Sequence, residues 1–223
     1  MHIHRLVILA VLLPFSSLLG KYSLPPMEKS VEDKSTGLNV PPGFEVDLVY
    51  KVDKKKYGSW IAMAFDGKGR LTVSDQGKAG TFSIEIPKPG QDFDESKIKK
   101  LNVKSSQWGM LYAFDHLYMM GNRTFSRAKV LPNGELGPTE FLCEMAGGGE
   151  HGPHSIIVSP DGKSLIVIAG NATRPPAFEK SRIRTNWKDD VLLQNYAYGH
   201  MAQGKAPGGW VMKISPDGKH REM

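Results

Sequence analysis

The sequence predicts an all-β chain, a β-propeller of four-stranded blades with about three blades of a larger ring present, and three observations carry that expectation. The first is an apolar hairpin that occurs three times: residues 60–65 with 71–74, residues 110–114 with 117–122, and residues 155–159 with 165–171. The aspartates at their turns, Asp66, Asp115 and Asp161, lie 49 and 46 residues apart. The second is a more polar and charged hairpin set between the apolar ones. Residues 82–86 lead to Pro89-Gly90, residues 128–131 to Pro132-Asn133-Gly134, and residues 210–214 to Pro216-Asp217-Gly218. An inner apolar hairpin followed by an outer polar one, repeated at ~48 residues, is the pattern of a propeller blade, with the apolar strands innermost. The third is composition: 24 Gly and 15 Pro among 223 residues, 40% of them apolar, mean many turns and one sizeable core.

Taken in order, residues 1–20 read as a secretory signal peptide. His4 and Arg5 precede an apolar run, and residues 6–20 are shorter than the ~20 residues a membrane-spanning helix needs. No cysteine nearby could accept a lipid, so no transmembrane span is expected once the signal is removed, and the product is expected to be periplasmic or secreted. Residues 21–40 are polar, carry Pro25-Pro26 and show no periodicity, as a linker does. The propeller domain is expected over 41–223, with blades near 44–104, 105–146 and 147–223. Gly134 and Gly218 end equivalent outer turns but stand 84 residues apart, which places an insertion over 172–208, expected to be a lid or rim loop. The chain stops at Met223 within an expected outer strand. The expectation is therefore an amino-terminal part of a longer ring, which alone would leave sheet edges unpaired.

Charge excludes one class of partner. Lys and Arg number 29 against 23 Asp and Glu, but the excess is scattered in short runs such as Lys54-Lys55-Lys56, with no basic stripe and no interleaved aromatics, so no nucleic-acid partner is expected. The single cysteine, Cys143, permits no intrachain disulfide, and its apolar strand-like surroundings predict a buried, inert thiol. No C-x-x-C-H motif is present to attach a c-type haem.

The chemistry concentrates in one stretch. Gly147-Gly148-Gly149-Glu150-His151-Gly152-Pro153-His154 approaches a strand that turns at Pro160-Asp161-Gly162 into a second apolar strand ending at Gly170-Asn171. Glycines let backbone come close to a ligand, and imidazole exchanges its proton most readily near neutral pH. Gly152 and Pro153 forbid the helix on which two histidines three apart would share a zinc ion, and the order does not match H-E-x-x-H, so no metal is assigned to the pair. Nucleophile-elbow, phosphate-loop and dinucleotide motifs are absent. His151 is the candidate base.

Together these residues resemble the soluble quinoprotein glucose and sorbosone dehydrogenases. The resemblance rests on Glu150-His151-Gly152-Pro153-His154, the turn nine residues on, and the strand ending Gly170-Asn171. It is closer still to secreted planctomycete-type propellers often fused to cytochrome c domains. Pro41-Pro42-Gly43-Phe44, the run from Gly109 to Asp115, and Ala206-Pro207-Gly208-Gly209-Trp210-Val211 support it.

The resemblance implies a six-bladed propeller that binds pyrroloquinoline quinone and calcium over its channel and oxidises a sugar or other alcohol, with a c-type cytochrome as electron partner. It implies that His151 removes the hydroxyl proton and that Gln107 lies near a substrate contact; His154 and Asn171, in the stretch that carries His151, are further candidate substrate-binding residues. The chain departs from the pattern after His151, where Pro153-His154-Ser155-Ile156 stands in place of Gly-Gly-Arg-Leu, so a cofactor-binding arginine is missing. The cofactor-binding residues are therefore unassigned, and the family's principal quinone and calcium ligands belong to later blades. Two rival functions follow. One is a non-catalytic propeller that binds glycan or protein on its channel face. The other, ranked last, is a lactonase-like hydrolase using Glu150 and Asn171 as metal ligands.

Overall fold

The computed structural model describes residues 31–33, 37–121, 123–147, 151–184 and 209–223. The expected signal peptide, Glu150 and residues 185–208 of the insertion lie outside the described residues. Two units are distinct, residues 1–48 and 49–223. In the first, β1 (Val31–Asp33) and β2 (Leu38–Val40) pair antiparallel, so the segment read as a linker contains a short hairpin.

Among its described residues the second unit is all-β apart from one turn of helix, α1 (Lys54–Tyr57), and a 3-10 turn at Glu95–Lys97. The twelve strands among its described residues form three antiparallel sheets of four, each in sequential order. The first sheet is β3 (Trp60–Phe65), β4 (Arg70–Asp75), β5 (Thr81–Glu85) and β6 (Lys99–Lys100). The second is β7 (Gln107–Ala113), β8 (His116–Gly121), β9 (Thr124–Val130) and β10 (Leu136–Glu144). The third is β11 (Pro153–Val158), β12 (Leu165–Ala169), β13 (Trp210–Ile214) and β14 (Arg221–Glu222). The first strands touch one another from sheet to sheet, β3 against β7 and β7 against β11, so they converge on a common axis. These sheets are blades of a β-propeller, with the predicted apolar hairpins innermost.

Alternation along each strand builds the core between blades. In β8, Leu117 and Met119 cluster with Ala64 of the first blade and with Met110 and Ala128 of their own. Tyr118 and Met120 cluster with Leu165, Val167, Met212 and Ile214 of the third blade and with Phe125 of their own. All four side chains are at most 1% exposed, and each contributes about 1.5–3 kcal/mol relative to leaving it in water. Polar links run across the same interface: Tyr118 Oη donates to the carbonyl of Pro216 at 2.9 Å, and Thr72 and Tyr112 join their hydroxyls at 2.8 Å between the first two blades.

The turn aspartates act in two ways. Asp66 and Asp161 accept backbone N–H groups two residues on, from Lys68 and Lys163. Asp115 instead shares a two-residue turn with Phe114, both at positive φ (58° and 48°), the backbone of a type I′ hairpin. A phenylalanine resists that conformation, and here Phe114 is held edge-on against Tyr118.

The described part of the insertion runs along the outer edge of the third blade. Lys180 bridges Glu222 in parallel, the N–H groups of Glu179 and Arg182 donate to Arg221 and Met223, and the Met223 N–H donates to Lys180. An edge that would otherwise present unpaired backbone is thereby covered. Apolar side chains remain exposed on the outward faces of the end blades, Met63 and Phe65 on the first, Ile157, Ile168 and Val211 on the third.

Candidate functional site

The site forms where the connection from the second blade to the third meets the start of the insertion. Backbone hydrogen bonds zip the two segments together: the Ala172 N–H donates to His151 O at 2.9 Å, the Gly170 N–H to Gly152 O at 2.7 Å, and the Arg174 N–H to Ala146 O at 2.7 Å. Gly147 also bridges Thr173. Two glycines make this approach possible. A Cβ on Gly147, which sits at φ 128°, would collide with the carbonyl of Ala172, and one on Gly170 would lie 2.5 Å from that of His151.

The zipped backbone sets one side-chain pair. His151 Nδ1 lies 3.1 Å from Asn171 Oδ1. A carboxamide oxygen only accepts, so the pair puts the ring proton on Nδ1 and makes Nε2 the basic nitrogen. His151 is half-buried at the mouth of β11, and its tautomer is set by a residue twenty positions along the chain.

His154 stands three residues further on, in β11. Its ring meets the indole of Trp108 edge to face, with centroids 5.8 Å apart and planes at 81°. His151 and Asn171 are thus brought together, and His154 is brought to Trp108. Gln107 is held elsewhere. It is 3% exposed and turned toward the first blade: its N–H donates to Ser74 Oγ, its carboxamide nitrogen to the carbonyls of Lys104 and Ser105, and its Oε1 has no partner among the described residues. It lines a separate cavity of about 260 Å³ with Lys104, Met119, Ser126 and Phe141.

Cys143 is buried in β10 as expected from sequence. Burial pushes its thiol above the ordinary value, although Arg221 nearby pulls the other way, and that leaves it poorly nucleophilic at neutral pH. The residue that sequence reading passes over is Trp108. Its signal is present in the spacing, because Ile61, Trp108 and His154 lie 47 and 46 residues apart, in step with the turn aspartates.

No family model matches the chain, and no curated protein matches it. Among solved structures, one that it resembles is a protein assigned as an oxidoreductase (glucose dehydrogenase) from Thermus thermophilus, at 18% identity and a TM-score of 0.38. The likeness covers 51% of this chain and spans 38% of the length of that one. Among the described residues no helix is long and apolar enough to cross a membrane.

Proposed function

We propose that this chain is the amino-terminal part of an exported, quinoprotein-like oxidoreductase that oxidises a sugar or other alcohol and passes the electrons to a c-type cytochrome. The observation that carries the proposal is the bond between His151 Nδ1 and Asn171 Oδ1. A base must present a lone pair to the hydroxyl it deprotonates, and this bond assigns the lone pair to Nε2. Oxidation of a carbinol to a carbonyl removes one proton from oxygen and one hydride from carbon. His151 takes the proton, and Asn171 keeps the ring oriented and stabilises the imidazolium that forms. The exposed outward faces of the first and third blades support a ring of more blades, six by the family resemblance.

The hydride acceptor lies outside the described residues. The resemblance implies pyrroloquinoline quinone and calcium, but the described residues do not fit either group: no three carboxylate, imidazole or thiolate side chains converge among them, and the one carboxamide oxygen placed at the site is bonded to His151. The proposal therefore assigns this chain the proton-handling half of the reaction. The same observation favours a second reading, a propeller that binds glycan on its channel face without turning it over.

The test is full-length protein supplied with the quinone, calcium, an aldose and an artificial electron acceptor. Acceptor reduction is expected in the wild type, and His151→Ala should lower kcat by roughly 10²–10⁴-fold. Asn171→Leu should lower kcat and move the pH-rate profile. Wild-type rates in His151→Ala overturn the base assignment. Glycan binding with neither turnover nor a quinone spectral change selects the second reading.

A further inference from the structure

We propose that Trp108 is a specificity-determining wall of the site, against which the flat face of a cyclic sugar packs, so that ring sugars are taken in preference to open-chain polyols. The proposal deepens the sugar-oxidising function above and rests on it for the site, not for the chemistry.

Three inner strands carry the same irregularity. The register of β3 on β4 slips between Trp60 and Ala62, that of β7 on β8 between Gln107 and Gly109, and that of β11 on β12 between Pro153 and Ser155. Each slip puts one extra residue into the register of the inner strand: Ile61, Trp108 and His154. A bulge recurring at one place in successive blades re-aims one side chain per blade, which is the common use of bulges beside sites.

In the second blade the flanking residues define where the extra side chain can go. Gln107 faces the first blade, where its backbone meets Ser74. Gly109 faces the third, with the His154 carbonyl against it. Both are buried, and both sheet faces are taken. The Trp108 side chain is partly exposed and reaches the His154 ring, the extra residue of the next inner strand. Since β7 has a strand neighbour only on its β8 side, its other edge is the side of the central axis. The wall there is therefore indole against imidazole, with His154 three residues beyond His151 in the chain.

An indole offers a flat apolar face of large area with little side-chain entropy to lose. A pyranose has the matching surface: axial C–H groups on one face are apolar, while its hydroxyls radiate from the rim, where His154 and the His151 base can meet them. An open-chain polyol of the same carbon number has no fixed face to stack. Gln107 supplies polar chemistry one residue away but on the wrong side of the strand.

The test is calorimetric titration of the full-length protein with glucose, galactose and mannose, each against its alditol. Wild type is expected to prefer at least one sugar over its alditol. Trp108→Ala should weaken that sugar about tenfold and erase the preference, and Trp108→Phe should retain most of it. Unchanged melting of Trp108→Ala confirms that folding is intact. The proposal is overturned if Trp108→Ala binds the sugar as wild type does, or if wild type binds none of the sugars in preference to its alditol. Sugar binding without turnover upholds the wall and refutes the oxidation. Turnover with KM unchanged in Trp108→Ala does the reverse.

Discussion

Gly109→Ala is the change that most directly probes how the inner strands hold the site. Gly109 lies in β7 with ordinary extended backbone, so alanine there meets no conformational penalty and the effect is one of space alone. The added Cβ would collide with the His154 carbonyl oxygen and lie 2.9 Å from its carbon and 3.4 Å from the nitrogen of Ser155. All three atoms are backbone of β11, which is tied by five register pairs to β12 and cannot swing aside as a side chain would. Relief requires the two inner strands to separate, and overpacking of this kind costs about 1–3 kcal/mol. For a chain of this size that corresponds to a fall in Tm of roughly 2–12 °C. Thermal unfolding followed by circular dichroism measures it, with Gly137→Ala as the comparison. There the new methyl meets Lys129 O at 3.5 Å and Leu131 at 3.7 Å, ordinary contacts, and no loss is expected. If Gly109→Ala melts within about a degree of wild type while Gly137→Ala does the same, the close approach of β7 and β11 is wrong.

Two further outcomes are expected. Leu117→Ala empties a position that is 0% exposed between the first and second blades, and should cost about 2–5 kcal/mol by chemical denaturation; a cost below half the lower figure would mean that the two sheets are not packed there. Burial pushes the hydroxyls of Tyr112 and Tyr118 above their ordinary 10.0, against the opposing pull of Thr72 on the first and Arg127 on the second. The folded state then holds these protons more tightly than the unfolded chain, so their contribution to stability is fully present below about pH 10 and is lost as pH rises through the folded-state values. Melts across that range should show a steeper alkaline loss in wild type than in the Tyr112→Phe, Tyr118→Phe double variant, and equal slopes would remove the tyrosines from the explanation.

Hairpins are legible in the sequence because their determinants are local. Residues 60–65 and 71–74 fall in β3 and β4, and residues 110–113 and 117–121 in β7 and β8, since alternation and a tight turn act over a handful of residues. The ~48-residue period then implies blades, because a hairpin pair with apolar faces must be covered by another of its kind. The histidine-bearing stretch is equally plain as a motif. Its inner wiring is not: the sequence offers Asn171 as a substrate contact, and only the backbone bonds of Ala146, His151 and Gly152 with residues 170–174 bring it to His151. The hairpin at 31–40 and the edge pairing of residues 179–182 with 221–223 are also invisible in the sequence, as both depend on partners whose patterns carry no periodic signal.

By itself, then, the sequence determined the class of fold and the order of the four-stranded blades seen among the described residues. Each of these follows from side-chain alternation and turn residues that act over short distances. The tertiary structure decided which side chains share a site. A bulge shifts the facing of every residue beyond it, and whether a strand bulges is settled by the strand it pairs with. That is why Gln107 and Trp108, adjacent in the chain, have different neighbours, Gln107 bonding to Ser74 of the first blade and Trp108 meeting the ring of His154 in the third. The same reason gives His151 its tautomer, through a neighbour that only the folded backbone brings within 3.1 Å.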